Sequence, residues 1–187
     1  MAVRRHPERA SRERRDLDAI LDAALVCHVG FVHDGAPVVI PTIHARAGDV
    51  LYLHGSPASR MLRHLAGGID VCVTATLVDG LVLAKSWMHH SLNYRSAVVF
   101  GRAAVVADGD LKVEALRMVV EHVQPGRSTQ ARPPSAKELA ATLVLALPLD
   151  EWSVKARSGG PIDDPLDEAL GWFAGVQPVP GDRLGLR

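Results

Sequence analysis

Asp34-Gly35 lies between two β-rich apolar runs, Val26 to Val32 and Pro37 to Arg46. An Asp-Gly pair flanked this way is the strongest short-range hairpin signal a sequence offers, because its two residues tolerate the positive φ angles that a tight two-residue turn demands. The chain turns again at Ala47-Gly48-Asp49 and returns as Val50 to His54, so three strands follow one another in hairpin order as a meander. Ahead of them the period is different. Apolar residues at 17, 20, 21, 24 and 25 have helical spacing and predict an amphipathic helix over 15–25.

Beyond the meander, Ser56 to Leu65 reads as a short helix with Ser56 at the N-cap, Pro57 in the first helical position and Gly67-Gly68 closing it. Ile69 to Leu77 is the next strand, Asp79-Gly80 the next turn, and Leu81 to Ser86 is apolar again. Val98 to Val106 is a long strand carrying Gly101. Apolar positions 113, 116, 119, 120 and 123 predict a second amphipathic helix over 110–123. Ser135 with Glu138 has capping-box spacing, Thr142 to Leu149 is a final strand, and Asp164 to Phe173 reads as a tail helix. Six or seven mostly antiparallel strands with short turns predict a mainly β fold with peripheral helices, closed as a barrel. The chain reads as a single domain over 1–187 with an N-terminal helix and a C-terminal helical tail. With 187 residues, 48% of them hydrophobic, it can bury a sizeable core.

Charge and composition set aside several function classes. Lys plus Arg and Asp plus Glu both number 21, so nothing in the totals asks for nucleic acid or an anionic membrane as partner. The basic run Arg4, Arg5, Arg9, Arg12, Arg14, Arg15 is interleaved with Glu8, Glu13, Asp16 and Asp18 and reads as a solvated helical face. Cys27 and Cys72 lie in apolar runs without a CxxC partner and read as buried free thiols. No apolar segment follows the basic start, and no apolar run approaches the ~20 residues of a membrane span, so a soluble cytoplasmic protein is expected.

Three stretches carry polar chemistry. In Leu51-Tyr52-Leu53-His54-Gly55-Ser56-Pro57-Ala58-Ser59-Arg60, a strand runs into a helix start whose free N–H groups, Ser59 hydroxyl and Arg60 guanidinium suit an anion such as phosphate. An ordinary capped surface helix has the same spacing. In Trp87-Met88-His89-His90-Ser91-Leu92-Asn93-Tyr94-Arg95-Ser96 a polar, aromatic segment separates two apolar strands. Its adjacent histidines point to opposite faces of an extended chain with no carboxylate or cysteine cluster beside them, which argues against a metal site. In Ser153-Val154-Lys155-Ala156-Arg157, the residues Ser153, Lys155 and Arg157 share a strand face, fitting either an anion or a charged edge. There is no G-x-S-x-G, no Walker loop and no G-x-G-x-x-G. Anion-binding groups without a protein nucleophile fit a protein that borrows a cofactor's chemistry.

Taken in order, Asp34-Gly35-Ala36-Pro37 with Val38 to Thr42, Leu51 to Gly55, His90 to Ser96 running into Val98-Val99-Phe100-Gly101, and Ser153 to Gly159 resemble the pyridoxamine 5′-phosphate oxidase-like superfamily of FMN-binding split barrels. The similarity is greatest to the flavin-nucleotide-binding branch related to nitroimidazole-resistance reductases. It covers roughly residues 10 to 180. The resemblance implies a split β-barrel homodimer with FMN in the clefts between subunits and a small-molecule acceptor for electrons or hydride. It implies that the strand holding Val39, Ile40, Pro41 and Thr42 lies along the flavin, and that Ser59 and Arg60 hold its phosphate, with Met61 where the family often has a second cation. It further implies that Ser96 approaches the ring, with Ser91, Tyr94 and Arg95 in the same segment, that His54 lies close to the flavin, and that Lys155 and Arg157 reach the cofactor across the dimer; without the resemblance, His54 reads equally as a strand-end histidine facing solvent. It assigns no catalytic protein residue and no metal. The Arg/His-rich C-terminal substrate motif of true pyridoxamine-phosphate oxidation is missing from Pro178 to Arg187. Deazaflavin F420, or haem held by a suitably placed His or Met, is the alternative cofactor for the same fold. A non-catalytic flavin-binding protein is the alternative role.

Overall fold

The computed structural model describes residues 4–180; the end of the C-terminal segment 178–187, residues 181–187, lies outside the described residues. Among the described residues ten strands form one antiparallel array in the order β1-β9-β6-β5-β2-β3-β4-β8-β7, with β10 on β5. The long strands are β2 (Val26–His33), β3 (Ala36–Ala47), β4 (Val50–Gly55), β5 (Asp70–Leu83), β6 (Ser91–Arg102), β8 (Leu143–Pro148) and β9 (Glu151–Arg157). The short ones are β1 (Ala10–Ser11), β7 (Ala104–Val105) and β10 (Gly175–Gln177). The helices are α1 (Arg14–Ala23), α2 (Arg60–Ala66), α3 (Gly109–Val123) and α4 (Ala136–Ala140). The mainly β character with peripheral helices is as expected, and so is the β2-β3-β4 meander.

The Asp34-Gly35 turn has the two positive φ angles its residues allow, 51° and 76°. It sets the register Val29↔Ile40 and Phe31↔Val38. Because side chains alternate, Cys27, Val29 and Phe31 point into the core while Val26, His28 and Val32 point out. Leu17, Ile20 and Leu21 of α1 cap this core with Leu51, Leu53, Leu65, Leu145 and Leu147. Each such side chain contributes about 1.5–3 kcal/mol by leaving water. Burial pushes the Cys27 thiol up to about 12, so it is an inert packing group. Cys72 is only half-buried.

Val98 to Val106 is not one strand: β6 already begins at Ser91, inside the polar segment read as a connection, and ends at Arg102, and Ala104–Val105 pairs separately with β8. Four further expectations need correction. First, α2 starts at Arg60 with Ser59 as its N-cap, not at Ser56. The Ser56 hydroxyl instead accepts from the Ala58 N–H at 3.2 Å, closing a turn around Pro57. Second, Asp79-Gly80 does not end a strand. It is an irregularity between Val78 and Gly80 inside the single strand β5. Third, Asp164 to Phe173 is not a helix. Its bonds run i to i+3, from Asp167 N to Asp164 O and from Leu170 N to Asp167 O, and the chain then extends into β10. Fourth, Arg4 to Glu13 is not a helical face, because Pro7 opens a three-residue 3₁₀ turn and α1 begins only at Arg14.

Two histidine contacts, one buried and one part-buried, tie α3 and α1 to the barrel. His44 on β3 is fully buried, and its Nε2–H donates to the Leu21 carbonyl at 2.9 Å. The His122 ring of α3 packs 4.9 Å away and donates to the Ala24 carbonyl at 3.0 Å. Since a carbonyl can only accept, Nε2 carries the proton in both rings. His44 Nδ1 is left bare without a partner.

Candidate functional site

The residues singled out from the sequence fall into four places. The first is the outer face of the β2–β3 hairpin. Val39 and Pro41 point outward, Val39 being 64% exposed, while Ile40 packs against the core and Thr42 faces Cys27 across the register. A ligand on the outer face meets Val39 and Pro41 by side chain and the intervening residues by backbone only. Val32, 62% exposed, and the exposed Val26 and Ile43 extend this apolar face.

The second place is the start of α2. The Ser59 hydroxyl accepts from the Leu62 N–H at 3.4 Å, and its own hydrogen remains available to a ligand. Arg60 is exposed and makes no hydrogen bond or ion pair among the described residues. Met61, where a second cation was considered, is 5% exposed in the core and is a packing residue. Gly55 serves packing too, since a Cβ there would stand 3.0 Å from Leu62 Cδ1.

The third place is the β6–β9 edge. Lys155 and Arg157 share a face, as the two-residue period requires, and with Ser91 they line a cavity of about 520 Å3. Most polar groups here are engaged by the protein itself. Arg157 holds Asn93 Oδ1 at 2.5 Å and the Gly159 and Gly160 carbonyls at 3.2 and 2.9 Å. The Ser96 hydroxyl donates to the Lys155 carbonyl at 3.2 Å. Arg95 forms a two-pronged pair with Asp79, Nη2 to Oδ1 at 2.7 Å and Nε to Oδ2 at 3.0 Å. Its partner holds the Asp79 carboxyl below the usual carboxylate range. Tyr94 lies opposite Arg157 in the ladder. The other walls of this cavity include Arg5, His6, Arg9, Met88, His89, His90 and Ile162. Arg5 and Arg9 were missed because their charge run read as a solvated face; Pro7 was the signal that could have broken it.

The fourth place is a groove of about 520 Å3 between α3 and the 131–138 segment, with His54 at its base. Its walls are Val113, Leu116, Val119 and Val120 on one side and Ala131, Pro133 and Pro134 on the other, with Arg117 and Arg132 also lining it. His54 Nδ1 is buried, and neither ring nitrogen has a hydrogen-bond partner among the described residues. Burial pushes the His54 pKa down, so the imidazole is neutral and holds a free lone pair. Arg117 pairs with Glu114 at 2.5 Å and Arg132 with Glu138 at 2.7 Å. None of the other residues singled out lines this groove, Ser59 and Arg60 included. An apolar groove with one unpartnered imidazole can hold a planar apolar cofactor by a metal–nitrogen bond. The amphipathic pattern of α3 was visible, but its uncovered part was not.

No helix among the described residues is long and apolar enough to cross a membrane, and no cluster of three His, Cys, Asp or Glu among them is placed to hold a metal ion. A family model for pyridoxamine 5′-phosphate oxidase matches residues 13–156. No curated protein matches the chain. Among solved structures, the FAD and haem binding protein from Mycobacterium smegmatis is 43% identical, with 91% of this chain and 84% of that chain covered at a TM-score of 0.87. The flavocytochrome Anf3 from Azotobacter vinelandii is 41% identical, with 95% and 83% covered at a TM-score of 0.87. A candidate 5-nitroimidazole antibiotic resistance protein from Bacteroides thetaiotaomicron is 24% identical, with 78% and 85% covered at 0.65, a likeness of fold.

Proposed function

Starting from the fact that this chain belongs to the pyridoxamine 5′-phosphate oxidase family and has its split-barrel fold, we propose that it is a redox protein binding both a flavin and a haem. The observation that carries this reading is the α3 groove: a neutral, unpartnered His54 imidazole at the base of an apolar cavity. It is supported by two structures more than 40% identical, one named for FAD and haem and the other as a flavocytochrome.

When bound, the flavin supplies hydride or electron transfer and the haem one-electron transfer. His54 would ligate the haem iron. The apolar side chains of α3 would cover its ring and keep water out. Arg117 and Arg132 line the groove and would offer cations to the haem's carboxylates, each now being paired with a glutamate, three and six residues away in sequence. For the flavin, Arg60 offers a guanidinium unpaired among the described residues to a phosphate, Ser59 offers a hydroxyl, and Val39 with Pro41 offers an apolar surface to the ring.

The name of the Mycobacterium smegmatis relative favours FAD over the FMN that the sequence resemblance implies. The exposed Val26, Val32, Val39 and Ile43 on one sheet face support a homodimer formed through that face. A small-molecule electron donor or acceptor completes the proposal.

The test is an absorbance titration of the purified protein with FAD, FMN and haemin in turn. Quenched flavin fluorescence together with a Soret band shifted from free haemin is the expected result. A protein that binds flavin but leaves the haemin spectrum unchanged refutes the haem half. One that ignores both flavins refutes the flavin half.

A further inference from the structure

The cavity at the β6–β9 edge does not belong to the haem groove and is five strands removed from β4 along the sheet, β9-β6-β5-β2-β3-β4. We propose that it binds the diphosphate of a nucleotide. Four cationic side chains, Arg5, Arg9, Lys155 and Arg157, converge on it. The one ion pair that any of them makes among the described residues is Arg9 with Glu8, at 3.8 Å. Like charges lining one cavity repel, and an anion of at least two charges offsets the repulsion.

The geometry leaves the donors free to act. Lys155 uses one N–H, donating to the Arg5 carbonyl at 2.9 Å, and two remain. Arg157 binds only neutral oxygens, so its charge is uncompensated, and those bonds hold it rigidly in place. The pairing Ala10↔Lys155 fixes the N-terminal segment beside β9, which brings Arg5 and Arg9 to the cavity.

Size and wall chemistry argue for a nucleotide rather than a bare phosphate. The volume is about 520 Å3, within the range of about 300–1,000 Å3 typical of small-molecule sites. Met88, 87% exposed, and Ile162, 80% exposed, supply an apolar wall beside the cations. A thioether and an aliphatic side chain suit the face of a base.

The occupant is a separate dinucleotide reductant, because the flavin reading above, on which this point rests, gives the flavin's own phosphate to Ser59 and Arg60 after β4, five strands away in the sheet order. The experiment is a calorimetric titration with ADP of the protein loaded with FAD, loaded with FMN, and free of flavin. Saturable ADP binding, weakened at least tenfold by both Lys155→Ala and Arg9→Ala but not by Arg60→Ala, is the expected result. Binding that persists with FAD in place assigns a separate nucleotide. Binding that FAD abolishes and FMN does not overturns the proposal, because the cavity then holds the cofactor's own diphosphate. A protein that binds ADP but no flavin overturns the flavin reading and leaves the cavity's assignment standing. No saturable binding to any of the three forms, or binding that both variants leave unchanged, overturns the proposal. The two variants lie on different elements, so a folding defect in one does not mask the outcome.

Discussion

Replacing His54 by leucine should make the cofactor-free protein more stable while removing its ability to hold haem. The imidazole has a buried Nδ1 without a partner, and a buried polar group left unpaired costs about 1–3 kcal/mol. Leucine is similar in volume, carries no polar atom, and faces the apolar walls of Val113, Leu116 and Val119. The substitution therefore relieves the penalty without opening a cavity. For a chain of this length a gain of 1 kcal/mol raises Tm by roughly 2–4 °C, so a rise of at least about 2 °C is expected by scanning calorimetry without cofactor. With haemin present the order reverses. Wild-type protein gains stability through binding and the leucine variant does not, because only a ligand bound to the folded state shifts the equilibrium. The variant's Soret band should match that of free haemin. A cofactor-free variant less stable than wild type by more than about 1 kcal/mol would mean that Nδ1 is satisfied in solution. An unchanged haem spectrum would remove His54 as ligand.

Three further outcomes follow from individual contacts. Arg60→Ala should weaken flavin binding roughly ten- to a hundredfold, the worth of a charge-assisted phosphate bond of about 1.5–3 kcal/mol; fluorescence titration reads it, and unchanged affinity places the phosphate elsewhere. His44 and His54 have pKa values pushed down chiefly by burial, so each binds its proton more weakly when folded than when unfolded. Their contribution to stability is complete above the ordinary histidine pKa of about 6.5 and is lost as pH falls below it; urea midpoints at descending pH should fall in that window, and a flat profile would contradict the burial. Asn93 is nearly buried and bridges Arg157 to Gly159, so Asn93→Ala should cost about 1–3 kcal/mol and expose the 157–160 segment to faster amide exchange.

What the sequence disclosed, and what it hid, divides along the range of the forces involved. The Asp34-Gly35 turn, the apolar stripes of α1 and α3, and the Ser135–Glu138 capping box were legible because each is decided within a few residues: positive φ, a 3.6-residue period, two reciprocal hydrogen bonds. Errors arose where one local signal permits two structures. Ser56 and Ser59 can each cap a helix, and Asp79-Gly80 can turn a chain or bulge a strand; packing against the barrel makes the choice, through Leu62 fitting under Gly55 in the one case and β10 lying along β5 in the other.

The candidate sites follow the same division at longer range. Lys155 and Arg157 could be put on one face by counting twos, but Arg5 and Arg9, about 150 positions earlier, reach them only because β1 pairs with β9. Arg95 looked available for a ligand until a strand neighbour sixteen residues away supplied Asp79. His54 could be placed at a strand end, yet its chemistry depends on a helix some sixty residues later that covers it with apolar side chains and offers no hydrogen bond. A charged residue's role is thus set by whether the fold gives it a partner. Arg95, Arg117 and Arg132 have carboxylates, whereas Arg60 and Lys155 have none among the described residues, and it is the latter pair that points to ligands.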